Sequence, residues 1–287
     1  MMDRLQKLVA KIDAFQQAHP WAAFPYAVVK KYGDDGASNQ GALITYYAFL
    51  ALFPLLFAVT ASLQLLLRNN PHLQVSVLAH IDSYFPLLGS QLQGNIRNVG
   101  KTGLALVAAI AVAVYGAHGA ADAVRQTLDK MWGVPKSQRA GFPKNTIKSL
   151  VMIGVGGTTL LVAAFLSSYA TSLGHGPIFK IVPTLMSFML LIASLFVMLH
   201  IGLSIKIKVK ALWFSAVLAA GGLQLLQTFG GYFMTHELHT LHGAYGAFSV
   251  TLALLFWIYL QVEVLLYAFE IGIVRAHKLW PRKLIGN

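Results

Sequence analysis

Gly243–Val262, GAYGAFSVTLALLFWIYLQV, is a run of 20 residues without an acidic or basic side chain, and it continues apolar to Val274 with only Glu263 and Glu270 interrupting. Crossing about 30 Å of hydrocarbon takes roughly 20 helical residues, so this stretch has the length of a membrane span. Working outward, five more charge-free runs appear: Gly41–Leu67 with 27 residues, Gly103–Ala121 with 19, Ser149–Phe179 with 31, Ile181–Ile205 with 25 and Ala211–Thr235 with 25. None alternates as the strand of a membrane barrel does. The expectation is an all-α, polytopic integral membrane protein with six transmembrane helices.

Composition points the same way. Of 287 residues, 56% are hydrophobic and 11% charged, with a mean hydropathy of +0.62. A soluble domain carries about 25% charged residues, so a water-facing surface cannot be built from this chain. The net charge of +12 would suggest nucleic-acid binding in a soluble protein. Here the cations sit between apolar runs, and anionic lipid headgroups are the partner they fit. There is no cysteine, which removes disulfides, thiolate metal sites and cysteine nucleophiles together.

The cations also set orientation by the positive-inside rule. Arg4, Lys7, Lys11, Lys30, Lys31, Arg125, Lys130, Lys136, Arg139, Lys144, Lys148, Lys206, Lys208, Lys210, Arg275, Lys278, Arg282 and Lys283 fall on one side, and Arg68, Arg97, Lys101 and Lys180 on the other. Both termini are therefore expected in the cytoplasm. The start of the chain lacks the apolar core of a secretion signal. Leu5, Leu8, Val9, Ile12 and Phe15 instead recur at helical spacing, which reads as an amphipathic helix on the inner leaflet or packed against the bundle. Asp34-Asp35-Gly36 breaks the chain before the first span. Residues 69–100 carry the short stripe Leu73, Val77, Ile81 and Tyr84, read as an external interfacial segment. The organisation expected is a cytoplasmic amphipathic segment (1–36), a six-helix transmembrane domain (37–274) and a basic cytoplasmic tail (275–287).

Several stretches resemble a known family. Gly41-Ala-Leu-Ile-Thr-Tyr-Tyr-Ala-Phe-Leu-Ala-Leu-Phe-Pro54 is similar to the first-span signature of the YihY/BrkB family of bacterial inner-membrane proteins, with Tyr46 and Pro54 at its tyrosine and proline. Thr127–Trp132 resembles the family's second-loop motif, and Trp257-Ile-Tyr-Leu followed by Ala268-Phe-Glu270 its last-span motif. The sequence departs from the usual pattern at Ala51, Asp129, Glu263 and Ala268-Phe269. The resemblance implies a six-helix fold in the bacterial inner membrane. It implies function loosely, since members are labelled variously as virulence or serum-resistance factors, as transporters and, by an older label, as a ribonuclease BN.

Ionisable groups inside apolar spans cost about 2.5–3.5 kcal/mol on insertion scales and usually face a protein interior or water. With the orientation above, His118, His200 and Glu270 share the cytoplasmic third, with Asp122 one turn below His118 and Thr45 and Tyr46 at the same level. The expectation is a polar, water-accessible cavity open to the cytoplasm, with Glu270 exchanging protons with imidazole; the plain alternative is helix ends meeting headgroups. Tyr259, Glu263, Tyr267 and Glu270 follow helical spacings of four, four and three and so line one face. That face is expected to turn inward, with Glu263 protonated or hydrated there, or simply bonded to a tyrosine. Lys206, Lys208, Lys210 and Arg139 form a collar for lipid headgroups.

His236, His239 and His242 make a local cluster in which zinc ligation competes with a plain hydrated loop. Three apart is near one helical face and six apart is not, and the spacing is not that of the metalloprotease motif. Glycines in the third and fifth spans read as close-packing or hinge positions. No cofactor, catalytic residue or nucleic-acid partner is assigned, because there is no P-loop and the basic loops lack interleaved aromatics. The functional expectation is a transporter or flippase for an amphiphilic, lipid-like substrate, with membrane lipids as partners. A membrane-bound enzyme using the acid and histidine groups, or a non-catalytic envelope scaffold, are the alternatives.

Overall fold

In a computed structural model, residues 13–15, 18–66, 103–173, 177–245 and 248–282 are described. They form α1 (Pro20–Asp34), α2 (Ala37–Leu66), α3 (Gly103–Met131), a 3-10 turn (Lys136–Gln138), α4 (Lys144–Leu173), α5 (Pro177–Gly202), α6 (Val209–Tyr245) and α7 (Phe248–His277), with no strand among the described residues. Among the described residues, four stretches are long and apolar enough to cross a bilayer: Lys144–Ala163, Ile181–Gly202, Val209–Gly230 and Thr251–His277. The other two expected spans fall on α2 and α3, helices of 30 and 29 residues. At 1.5 Å per residue each exceeds the hydrocarbon thickness. The external segment at 69–100 lies outside the described residues, as does nearly all of the stripe from Leu5 to Phe15.

Each long helix packs on its neighbours in sequence, and α7 returns to α2, so α2 to α7 close a ring. Apart from the long stretch between α2 and α3, the connections are short, which favours such antiparallel neighbours. α1 lies outside the ring against α7 and α2, burying Ala23, Ala27 and Val28 while Trp21 and Val29 stay exposed. Its end is local chemistry: Asp35 N–H donates to Lys31 O and Gly36 N–H to Gly33 O, each at 2.9 Å, and Gly36 takes φ +59°, a conformation with no Cβ penalty in glycine. The break expected at Asp34-Asp35-Gly36 is this turn.

α3 ends in a Schellman motif. Gly133, at φ +69°, donates to Lys130 O at 3.0 Å, and Val134 donates to Asp129 O at 2.8 Å. Trp132 and Val134 are buried beside it. The C-terminal ends of α1, α3, α5 and α7 and the starts of α2, α4 and α6 thereby gather at one end of the bundle, which is also the end rich in lysine and arginine.

The core runs through Leu128, Leu195, Leu199, Leu212, Leu254, Ile258, Val262, Leu266 and Phe269. Outward faces are apolar as well, with Val107, Leu161, Phe165, Leu185, Leu225 and Phe229 exposed. A helix apolar all round is one that hydrocarbon solvates. The histidine segment departs from the hydrated loop expected for it. α6 continues as helix through Tyr245, so residues 236–242 are helical in backbone, and their side chains lie outside the described residues.

Two of the glycines flagged in the fifth span are close-packing positions. A Cβ on Gly222 would lie 2.7 Å from Val264 Cγ1, and one on Gly230 would lie 1.8 Å from Trp257 Cη2, whereas Gly154, Gly157 and Gly221 have open space. Trp257 is itself buried and cannot swing away. Gly230→Ala should therefore destabilise the protein by about 1–3 kcal/mol through overpacking, read as a lower thermal midpoint in detergent, while Gly221→Ala should be neutral or stabilising.

Candidate polar seam and apolar cavity

Two polar networks occupy the cation-rich end. In the first, α1 presents Lys31, 7% exposed, to three acceptors. Its Nζ donates to the Asp35 carboxylate and to Met131 O at 2.8 Å, and lies 3.4 Å from Glu270 Oε2. Glu270 is 0% exposed, and neither of its oxygens has a hydrogen bond of good geometry within the protein. One residue along α1, Tyr32 donates its hydroxyl to Glu263 Oε2 and stacks its ring on Tyr267, with centroids 4.2 Å apart and planes at 4°. Tyr259 reaches Ser38 and Glu263 from the same side. Gly41 leaves room for this carboxyl, since a Cβ there would sit 2.8 Å from Glu263 Oε1. Burial, then donation to Glu263, pushes the Tyr32 phenol up from its ordinary value, so it remains a donor.

The Tyr259–Glu263–Tyr267–Glu270 face is thus turned against α1 and α2. Glu263 takes the plain alternative, an acid bonded to tyrosine. Glu270 does not meet imidazole as expected; the charged groups facing it are Lys31 and Asp35. His118 is half-buried with Nδ1 unbonded, His200 is exposed and stacked near Phe196, and Tyr46 is 58% exposed beside Tyr47. Thr45 is buried, its hydroxyl closed onto Gly41 O at 2.8 Å.

In the second network Arg125, 3% exposed, lies between two acids. Asp122 Oδ1 is 2.8 Å from its Nη2, and Asp129 Oδ2 3.6 Å from its Nη1. Asp129, 0% exposed, accepts from Ser204 N at 2.8 Å and Ser204 Oγ at 2.6 Å. Ser204 Oγ accepts in turn from Ala140 N at 3.1 Å, and Lys148 Nζ donates to Leu203 O at 2.5 Å. The turn after α5 is thereby tied to α3 and α4. Asp122, expected to share a slab with His118, belongs to this network. Arg139 bonds Val134 O at 3.1 Å, while Lys206, Lys208 and Lys210 are exposed around the α5–α6 turn.

A cavity of about 370 Å³ lies inside the ring, between α2, α3, α4, α5 and α7. Its walls include Ile44, Ala51, Ala120, Met198, Leu266 and Phe269, and every residue that lines it is apolar or glycine. It is not the polar, water-accessible cavity expected from the sequence. The reason is packing: Glu263 and Glu270 face α1 from the other side of α7, so they do not reach the cavity wall. Among the described residues, no group of three or more histidine, aspartate or glutamate side chains is placed to hold a metal.

Sequence reasoning counted Lys31 and Arg125 only among the cations and took Asp35 as a helix breaker, and it passed over Tyr32 and Ser204. The available signals were the i,i+4 spacing of Lys31 and Asp35 and the acid at position 129, inside a motif already singled out.

The sequence model of the family described as virulence factor BrkB matches residues 28–284, from α1 to the chain's basic end. This chain belongs to the BrkB family. Among BrkB-like relatives, a protein of Chlorobium chlorochromatii (strain CaD3) named UPF0761 membrane protein is 26% identical over 239 residues, covering 79% of this chain and 54% of that protein. A protein of Albidiferax ferrireducens with the same name is 24% identical over 282 residues, covering 92% of this chain and 64% of that protein. The chain thus spans just over half to under two-thirds of the length of these relatives. No solved structure matches it. Within this BrkB chain the second network yields a direct test. Asp129→Ala should cost about 3–5 kcal/mol by leaving Arg125 buried beside fewer acids, whereas Asp129→Asn, which keeps an acceptor for Ser204, should lose less; denaturant unfolding in detergent compares the two.

Proposed function

We propose that this BrkB protein is a transporter or flippase of the bacterial inner membrane, with both termini in the cytoplasm, that moves a lipid-like amphiphile. The observation that carries the reading is the wholly apolar cavity inside the ring. Its volume falls within the range of small-molecule sites, about 300–1,000 Å³. An apolar void of this size forgoes dispersion contacts that a hydrocarbon chain would supply, and water has no polar partners there. An acyl chain fits that chemistry.

The other half of an amphiphile finds its match at the cation-rich end. Lys206, Lys208, Lys210 and Arg139 offer positive charge to an anionic headgroup, beside the turn that the second network holds in place. α7 links the two regions, since Leu266 and Phe269 line the cavity while Glu263 and Glu270 face α1.

The test uses vesicles that contain the full chain and a fluorescently labelled anionic phospholipid, with an impermeant quencher reporting movement between leaflets. Wild type should accelerate movement over protein-free vesicles. Ala120→Phe, which fills the cavity wall, should reduce the rate about tenfold or more while the protein still inserts and melts normally. A wild-type rate equal to that of empty vesicles, or an unimpaired Ala120→Phe, overturns the reading.

A further inference from the structure

The first network does not balance its charge inside the fold; the further cation beside it, Lys130, is exposed, with its Nζ next to Gly36 at the rim. Lys31 Nζ is the cation shared by two carboxyl groups, Asp35 and Glu270, and its remaining bond goes to a neutral carbonyl, Met131 O. From α1 and its turn, Glu270 is faced by Lys31 and Asp35. On α7 the nearest acid is Glu263, two turns earlier and engaged by Tyr32. From α6 the nearby side chain at Gly272 is the uncharged Ser215 hydroxyl. If both carboxyls were ionised, two anions would share the one ammonium of Lys31, with no hydrogen bond of good geometry to either buried Glu270 oxygen, an arrangement proteins avoid by pairing or by taking up a proton. Lys31 is bonded to Asp35 and only approaches Glu270. The ammonium therefore belongs to Asp35 in this arrangement, and Glu270 is the group left to carry the proton.

We infer that Glu270 is a proton-binding site, loaded and emptied through Asp35, with Lys31 as the cation that changes partner. The Asp35 side chain is part-exposed whereas that of Glu270 is sealed, so Asp35 is the group in touch with water. The Glu270 carboxyl gives its proton to the Asp35 carboxylate, and the resulting Asp35 acid releases it to water. Lys31 then turns its ammonium from Asp35 to the Glu270 carboxylate, and one cation faces one anion again. Reversal of these steps loads the site. That this proton drives movement of the amphiphile rests on the transport reading above; the site itself rests on the geometry alone.

The test is a pH titration of the purified full chain in detergent, followed by thermal unfolding and by infrared absorption of protonated carboxyl groups. With Glu270 protonated, the native state binds more protons than the unfolded chain at neutral pH, so stability falls as pH rises. Wild type should show a protonated-carboxyl band at neutral pH, and its unfolding midpoint should fall from mildly acidic to mildly alkaline solution. Glu270→Gln should lose both the band and the pH-dependent shift. Asp35→Asn should also lose the band, because Lys31 is then free to pair with an ionised Glu270. Glu263→Gln should keep it. Absence of the band in wild type, which needs no variant to fold, overturns the proposal, as does a band that survives Glu270→Gln or vanishes with Glu263→Gln. An intact titration in a protein that moves no lipid would overturn the transport reading and leave the proton site standing. Lipid movement unaffected by Glu270→Gln would remove the driving role.

Discussion

An acid with no exposed surface has to be neutralised by a buried cation or by a proton, and in this chain the groups that decide between the two come from a helix outside the ring. Glu270 sits on α7 at the cation-rich end, where neither hydrocarbon nor a neighbouring span offers a counter-charge. α1 brings Lys31 to it, and that requirement explains much else. α1 must end at the Asp35–Gly36 turn for the lysine to arrive at the right height, and the Met131 carbonyl must be free at the end of α3 to fix the ammonium. Tyr32, next on the same helix, then meets Glu263 by default of geometry.

The second network solves a different problem with the same means. The turn between α5 and α6 carries exposed lysines, and nothing in its own sequence fixes its shape. Asp129 does so from α3 by accepting both the backbone and the hydroxyl of Ser204. Because Arg125 neutralises that acid from one helical turn away, the strap closes without drawing on solvent. Buried acids and cations thus pin the helix ends, and the long apolar faces are left to lipid on one side and the cavity on the other.

Legibility followed the range of the interactions. Span length is a local property, so the runs ending at Leu67, Ile205 and Val274 were readable by counting, as was the break at Gly36, where positive φ favours glycine. The α7 stripe was legible for the same reason, since four-residue spacing fixes one face. What covers that face is a tertiary fact. Lys31 and Glu270 are far apart in the chain, and no periodicity links them; His118 and His200 were equally plausible partners by depth alone. The apolar lining of the cavity was not legible for a related reason, because depth was inferable and direction around the ring was not. The histidines at 236–242 misled through local polarity, which did not end α6 before Tyr245.

Asp129 and Met131 stand two residues apart in the final turn of α3, one holding the α5–α6 corner and the other holding Lys31. That turn is therefore a single rivet for parts of the protein made at different times. The corner becomes available once α5 has emerged, but Lys31 waits for an acid on α7, the last of the described helices to leave the ribosome. Until that closing helix enters the bilayer, the Lys31 ammonium has Asp35 and the Met131 carbonyl as partners but lacks the α7 face that α1 packs against.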